Sequence, residues 1–455
     1  MCAVFGIYSP SLDNSHITAK GLFSLQYRGQ ESSGITISDG ENIYSHRKTG
    51  LVSQVYDEEI LNSLVGNIAI GHNRYATYSR RSAKNHLQPV IDKATRFTLA
   101  HNGNLPDSAK IERFLDKHGI KTENLNDTEM MHAAILYYIK KGASLDAAIM
   151  DAVPLFTGAF SLLAMDRNKI VAIRDKNGIR PFSIGSLNGG YVFSSETCAL
   201  DTVGARFIRA VAPGEMVVAD ENGLLSVEFE KGDQKLDIFE FVYFSRPDSV
   251  LMEKSVYQVR RNFGKILAKE HLIKGDIVIA VPDSGVPAAI GYSQISGIPF
   301  EEGLIKNRYI GRTFITPGQD KRSEDVALKL NPLPDVLKGQ RVIVVDDSIV
   351  RGTTSKRLVR RIRDAGAREV HLVITSPPVK FPDFYGIDTP SQKELIGANK
   401  TIDGIRRFIS SDSLSFLSLE GMIEATGLPR DVFSTSCFTG EYPIDIGRRK
   451  REISY

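Results

Sequence analysis

Cysteine is scarce in this chain. Its 455 residues include three, Cys2, Cys198 and Cys437. None sits in a C-x-x-C pair, and the odd number argues against a disulfide framework and for a reducing compartment. An excess of one charge is also lacking. Against 57 Lys and Arg stand 54 Asp and Glu, a formal net charge of +3, so the balance does not call for nucleic acid. A membrane-length apolar run is missing: the uncharged apolar stretch 152–165 holds Pro154 and Gly158 and is too short to span a bilayer. No basic segment followed by an apolar one opens the chain, so no secretory signal is expected and the cytoplasm is the expected location. The basic cluster GRRKRE (447–452) reads as a solvated terminus rather than a phosphate-binding patch.

What is present is an ordinary globular composition, 42% apolar and 24% charged, with a length that predicts two or three domains. The stretch 342–355, VIVVDDSIVRGTTS, organises the rest. Val342 to Val345 read as a buried parallel strand. Asp346 and Asp347 stand at its carboxyl end, where ligands bind in open α/β sheets. The loop of Ser, Gly and Thr that follows leads into a helix, whose first N–H groups suit a phosphate. The two carboxylates suit hydroxyl groups or a divalent cation. One ligand combines phosphate, vicinal hydroxyls and metal: a ribose phosphate.

At the other end of the chain, Cys2 opens a strand-like run, CAVFGIY. Removal of Met1, expected because cysteine is small, would expose an α-amino group with a pKa of about 7.7–8.0. A thiol beside a neutral amine is a nucleophile with its own base. YRGQESSGI (27–35) reads as an Arg-Gly turn between an apolar helix and a strand. GHNRYAT (71–77) follows another strand, and LAHNGNL (99–105) puts Asn102 and Gly103 at a turn. There an amide side chain and a backbone N–H would face an oxyanion. Asp127 begins a helix with Met131, Ile135 and Tyr138 on one face, and by itself reads as the N-cap. Between 158 and 230, short strands alternate with Gly turns. Within SSETCAL (194–200), Cys198 reads as a packed thiol.

Taken together, Cys2, these segments and the Asp127 stretch resemble, in order and spacing, the class II glutamine amidotransferase domain. The resemblance implies an N-terminal-nucleophile fold, a four-layer αββα sandwich, over residues 2–235. It further implies that Cys2 attacks the glutamine side-chain amide and that Asn102 and Gly103 stabilise the oxyanion. Arg74 would pair with the substrate carboxylate, for which a guanidinium fork is suited. Asp127 would hold the α-ammonium, and Arg28 and Gly29 would shape the pocket.

From about Glu240 the pattern changes to helix, strand DIVIAVP (276–282), loop PDSG, helix, strand RVIVVDD, helix and strand EVHLVIT (369–375). This is a doubly wound parallel sheet, expected over 236–455. The polar stretch 306–333, with its Gly and Pro residues, reads as a mobile loop over a site. The DD-S-x-x-x-G-T-T pattern resembles the type I phosphoribosyltransferases. That resemblance assigns Asp346 and Asp347 to the ribose hydroxyls and Mg²⁺, one ion in each subunit. Ser348, Ile349, Val350, Arg351, Gly352, Thr353 and Thr354 would cradle the 5′-phosphate. Ser284, in the PDSG loop, would lie near the metal, and Lys306 would reach the pyrophosphate.

A fusion of these two domains in this order is similar to the amidophosphoribosyltransferases. The implied reaction transfers ammonia from glutamine to phosphoribosylpyrophosphate (PRPP), for purine synthesis. Neutral ammonia is lost to protonation and diffusion in bulk water, so a closed path between the sites is expected, built by 306–333. Many members of the family hold a 4Fe–4S cluster on four cysteines. Here the corresponding positions are Asp237, Asp383, Ser434 and Cys437. One thiolate cannot hold such a cluster, so none is expected, and hydrogen bonds among Asp237, Asp383 and Ser434 are expected to staple the region instead. Met1 alone precedes Cys2, so no self-processing is expected. The resemblance further implies a homo-oligomer, dimer or tetramer, and inhibition by purine nucleotides, with no nucleic acid or membrane partner. A PRPP-sensing transcription regulator would need a DNA-binding module, which is not visible, and would have no use for Cys2. A sugar-phosphate aminating enzyme would lack DDSIVRGTTS.

Overall fold

The computed structural model describes residues 1–9, 13–75, 86–307, 330–387 and 389–454. Most of the expected loop over the site, residues 308–329, lies outside the described residues, as do Ala76 and Thr77 of GHNRYAT. The chain forms two compact units. The first is Met1–Asp237 with two short later segments, Asp383–Asp388 and Tyr442–Arg451. The second is Ile238–Pro382 with Thr389–Glu441 and Glu452–Tyr455. The sequence reading gave everything beyond 235 to the second domain. The two short segments pack within the first unit because that unit buries the groups that bind them, Arg180 above all.

The first unit holds two antiparallel sheets. The order in the seven-stranded sheet is Arg206–Ala210, Ser183–Leu187, Gly190–Ser194, Ala3–Tyr8, Ile68–Arg74, Ser32–Ser38 and Ile43–Thr49. The order in the six-stranded sheet is Gly223–Glu228, Glu215–Asp220, Ile170–Arg174, Thr157–Met165, Phe97–Asp107 and Val90–Asp92. Side chains alternate along each strand, and this alternation builds the layers. Ala3, Phe5 and Ile7 face a core shared with Leu22 and Leu25 and with the helix Thr197–Val203. Val4, between them, faces Ala100, Leu163 and Ile170 of the other sheet. On that sheet Phe97, Leu99 and Leu162 face outward onto Ile111, Met131, Ile135 and Ile149, from the helices Ala109–Lys117, Asp127–Lys140 and Leu145–Ala152. The result is helix, sheet, sheet, helix, the expected four-layer sandwich. The strand Ala3–Tyr8 is central in its sheet and its Phe5 is fully buried; truncating Phe5 to Ala would cost about 3–5 kcal/mol.

The second unit holds a four-stranded parallel sheet in the order Ile277–Ala280, Arg341–Asp346, Glu369–Ile374 and Ser413–Phe416. Val342 and Val344 pack with Leu358, Val359 and Ile362 of the helix Thr353–Asp364 and with Ile405 and Ile409 of Ile402–Ile409. Ile343 and Val345 turn to the opposite face and are equally buried, and the helix Val286–Ser296 packs against their strand. Apolar residues in unbroken sequence are what a strand covered on both sides requires. Among the described residues, no helix is long and apolar enough to cross a membrane.

Candidate active sites

Cys2 is half-buried at the start of the central strand of the first unit. Burial pushes its thiol pKa up. The terminal ammonium, an N–H from Tyr75 and the Arg74 guanidinium pull it down, while Asp127 pushes it up again. Cys2, Arg74 and Asp127 thus lie within electrostatic reach of one another. Arg28 Nε donates to the Cys2 carbonyl at 3.3 Å. At Gly29 a Cβ would fall 2.6 Å from the Arg74 carbonyl carbon, so only glycine lets this turn rest on the end of the strand that carries Arg74. Arg74 Nη1 donates to the His86 carbonyl at 3.0 Å.

Asn102 and Gly103 lie inside the strand Phe97–Asp107, not at the expected turn. The ladder with Thr157–Met165 holds them, pairing Asn102 with Ser161 and Gly103 with Phe160. Gly103 has φ +152°, and a Cβ there would fall 2.0 Å from the Ala159 carbonyl oxygen. Glycine is therefore required, and its peptide plane is free to turn. Asp127 is not the N-cap: Asn126 caps the helix, in a capping box with Glu129. Asp127 Oδ2 instead accepts the Leu105 N–H at 3.4 Å and lies 3.8 Å from His101 Nδ1. Asp127 Oδ1 also accepts the N–H of Thr128 at 3.0 Å.

Sequence reasoning missed Ser195 and Glu196. Ser195 Oγ accepts the Val4 N–H at 2.9 Å, its own N–H donates to the Val4 carbonyl at 3.0 Å, and Asn102 Nδ2 stands 3.5 Å from the hydroxyl. Glu196 is fully buried and takes both the Arg28 guanidinium and the Tyr27 hydroxyl. Burial, and next the Glu196 charge, hold the Tyr27 phenol well above its usual range, so it donates. This dipeptide ties the strand that follows Cys2 to the Asn102 amide and to Arg28. Its signal lay in SSETCAL, where only Cys198 was weighed; that thiol is packed in the helix-side core, as expected.

In the second unit, Asp346 and Asp347 end the strand Arg341–Asp346. Ser284 and Ser348 donate to Asp347 at 2.5 and 2.6 Å. Burial raises both carboxyl pKa values, and Asp346 is raised further by the charge of Asp347. The two serine hydroxyls and Arg260 partly offset the rise at Asp347. Two desolvated carboxylates and a hydroxyl, all oxygen donors, fit a small hard cation. Gly352, at φ +75°, starts the helix Thr353–Asp364 and offers no capping side chain, so the first N–H groups of the helix have no side-chain cap. The Ile349 side chain is buried in the core and Arg351 pairs with Glu394 at 3.0 Å. Thr353 and Thr354, by contrast, are exposed. Lys306 pairs with Asp283 of the PDSG loop, and both line a cavity of about 380 Å³ with Tyr257 and Phe300.

Asp237 and Asp383 both pair with Arg180, at 3.2 and 3.6 Å, and Ser434 donates to Ser436 at 3.3 Å.

Residues 72–202 match the family model of the glutamine amidotransferase domain, and residues 251–377 that of the phosphoribosyl transferase domain. The chain is 48% identical over 452 residues to the amidophosphoribosyltransferase of Synechocystis sp., covering 98% of this chain and 91% of the relative. It is 42% identical to that of Methanocaldococcus jannaschii, covering 99% of each. Among solved structures, glutamine PRPP amidotransferase from B. subtilis, complexed with ADP and GMP, superposes with a TM-score of 0.91 at 42% identity, covering 98% of each chain. The chain therefore belongs to the amidophosphoribosyltransferases, enzymes that transfer ammonia from glutamine to PRPP, giving 5-phosphoribosylamine, glutamate and pyrophosphate at the first committed step of de novo purine biosynthesis.

Proposed function

We propose that Cys2, once Met1 is removed, is the glutaminase nucleophile, with its own amine as base. The observation that carries this is the placement of Cys2: the Tyr75 N–H, Arg74 and Asp127 all bear on its sulfur, and Arg28 fixes its carbonyl. Arg74 takes the glutamine carboxylate and Asp127 its α-ammonium. The thiolate attacks the side-chain amide, and the Gly103 N–H and Asn102 amide hold the oxyanion, a contribution worth about 10²–10³ in kcat for one such donor. Collapse releases ammonia and leaves a glutamyl thioester, which water cleaves to glutamate.

In the second unit, Asp346 and Asp347 take the ribose hydroxyls, and the backbone of 348–354 takes the 5′-phosphate. Asp346, Asp347 and Ser284 would hold Mg²⁺, which would supply neutralising charge to the pyrophosphate. Among the described residues no three acidic, His or Cys side chains converge, which suits an ion that takes its remaining ligands from substrate and water. Pyrophosphate leaves, the carboxylates offset the positive charge developing at the ribose C1, and ammonia attacks there.

The B. subtilis relative carries ADP and GMP. A purine nucleotide shares the ribose 5-phosphate of PRPP, so feedback inhibition by competition at this site follows. We place the enzyme in the cytoplasm as a homo-oligomer without a 4Fe–4S cluster. Cys2→Ser is expected to abolish glutamine-dependent pyrophosphate release and to keep the ammonia-dependent rate; persistence of the glutamine route would refute the role of Cys2. Asp347→Ala is expected to damage both routes, and iron measured on the same sample tests the cluster.

A further inference from the structure

We propose that residues 383–387, fixed by Arg180, are a positioning element for the glutaminase oxyanion site; this rests on the roles given above to Asn102 and Gly103. The strand carrying them needs an outside support. Its ladder with Thr157–Met165 is regular from Thr98 to Asn104, then slips before Asp107 pairs with Thr157. The oxyanion glycine thus sits next to the point where sheet pairing fails, and its φ of +152° is one that only glycine adopts readily.

The support comes from 280 residues further along the chain. Asn104 Nδ2 donates to the Phe384 carbonyl at 2.7 Å. Gly386, at φ +117°, lies so close that a Cβ on it would stand 3.2 Å from the Gly103 carbonyl carbon. Backbone is laid directly against the Gly103 carbonyl and Cα, on the same residue whose N–H is used.

This segment is rigid for a visible reason. Asp383 Oδ1 accepts the N–H groups of Tyr385 and Ile387 at 2.9 and 2.8 Å, which folds it into a turn. Arg180 donates Nε and Nη2 to the Tyr385 carbonyl at 3.1 and 3.0 Å and pairs with Asp383 and Asp237. The Arg180 side chain is fully buried. On the far side, the Tyr385 hydroxyl donates to the Ile444 carbonyl at 2.7 Å and accepts its N–H at 3.0 Å. The chain of contacts runs from Arg180 through the 383–387 turn and Asn104 to Gly103. Arg180 and Asn104 act through other groups and are positioning residues.

Asn104→Ala, Arg180→Lys and Arg180→Met test this in the full-length enzyme. Glutaminase kcat and KM, ammonia-dependent phosphoribosylamine formation and the thermal midpoint are measured together. Asn104→Ala is expected to lower glutaminase kcat about tenfold to a hundredfold, the scale of a small misplacement of catalytic groups. KM for glutamine and the ammonia route should stay near their parent values. Arg180→Lys should retain more of the glutaminase kcat than Arg180→Met. An unchanged kcat in Asn104→Ala with the ammonia route intact overturns the proposal. So does an equal loss of both routes, which would make the contact merely structural. If the Arg180 variants fail to fold, Asn104→Ala decides alone. Asn102→Ala is the control for the oxyanion reading: if it keeps the parent kcat, that reading fails independently of this proposal.

Discussion

Glu196 is the residue on which the glutaminase half turns outside its reacting groups. It is fully buried against Arg28, and Arg28 in turn holds the Cys2 carbonyl. Glu196→Gln leaves a buried guanidinium without its counter-charge, a loss of about 3–5 kcal/mol when a buried pair is broken. The expected outcome is a lower urea midpoint together with a glutaminase rate that falls more than the ammonia-dependent rate. Tyr27→Phe removes one hydrogen bond to the same carboxylate and should cost only about 1 kcal/mol. Equal sensitivity of the two variants in urea melts would show that charge is not what matters at Glu196. At this scale the sequence was informative about reacting groups and blind to their supports. Cys2, Arg74 and Asn102 belong to recognisable segments. Glu196 meets Arg28 across 168 positions, and no local pattern encodes such a pairing.

A strand ending in two carboxylates, a short loop and an uncapped helix start form the phosphate element of the second half. Its geometry hangs on Gly352. At φ +75° an alanine would carry about 1–2 kcal/mol of strain, and its Cβ would meet Ile396 Cδ1 at 2.8 Å. Gly352→Ala is therefore expected to raise the KM for PRPP roughly tenfold, the equivalent of about 1.4 kcal/mol. A PRPP titration with ammonia as donor reads this, and an unchanged KM would remove the helix start from the phosphate site. This element was legible because strand, acids, glycine and helix are contiguous. The other secondary-structure elements were legible in kind and less so in detail. Asn102 and Gly103 read as a turn because Asn-Gly is a turn dipeptide, yet pairing with Thr157–Met165 holds them in a strand. Asp127 read as a cap, and Asn126 with Glu129 took that role.

Across the whole molecule, stability should depend on pH through buried groups that no surface count reveals. Burial pushes the Asp175 carboxyl up to about 6, against the opposing pull of Arg174 and three N–H groups. A raised folded pKa means that its stabilising share is complete below the unfolded value and is lost as pH rises through about 6. The shift corresponds to roughly 3 kcal/mol. Burial pushes His132 down to about 4, so its share has the opposite sign and is lost as pH falls from about 6.5 through 4. The stability difference between the parent and Asp175→Asn is therefore expected to shift in favour of the parent by about 2 kcal/mol between pH 6 and pH 4, read from urea unfolding at each pH. A constant gap would mean that Asp175 does not titrate in that window. Sequence by itself determined the two kinds of sheet and their order along the chain, and it pointed to the groups proposed to react, because alternation, unbroken apolar strands and contiguous motifs are local patterns. Only the tertiary structure decided which distant residues stand beside them: that Asp237 and Asp383 meet at Arg180, and that residues 383–387 and 442–451 pack with the first unit. Partner choice for a buried charge depends on what else is desolvated with it, and that is settled by packing rather than by neighbours in the chain.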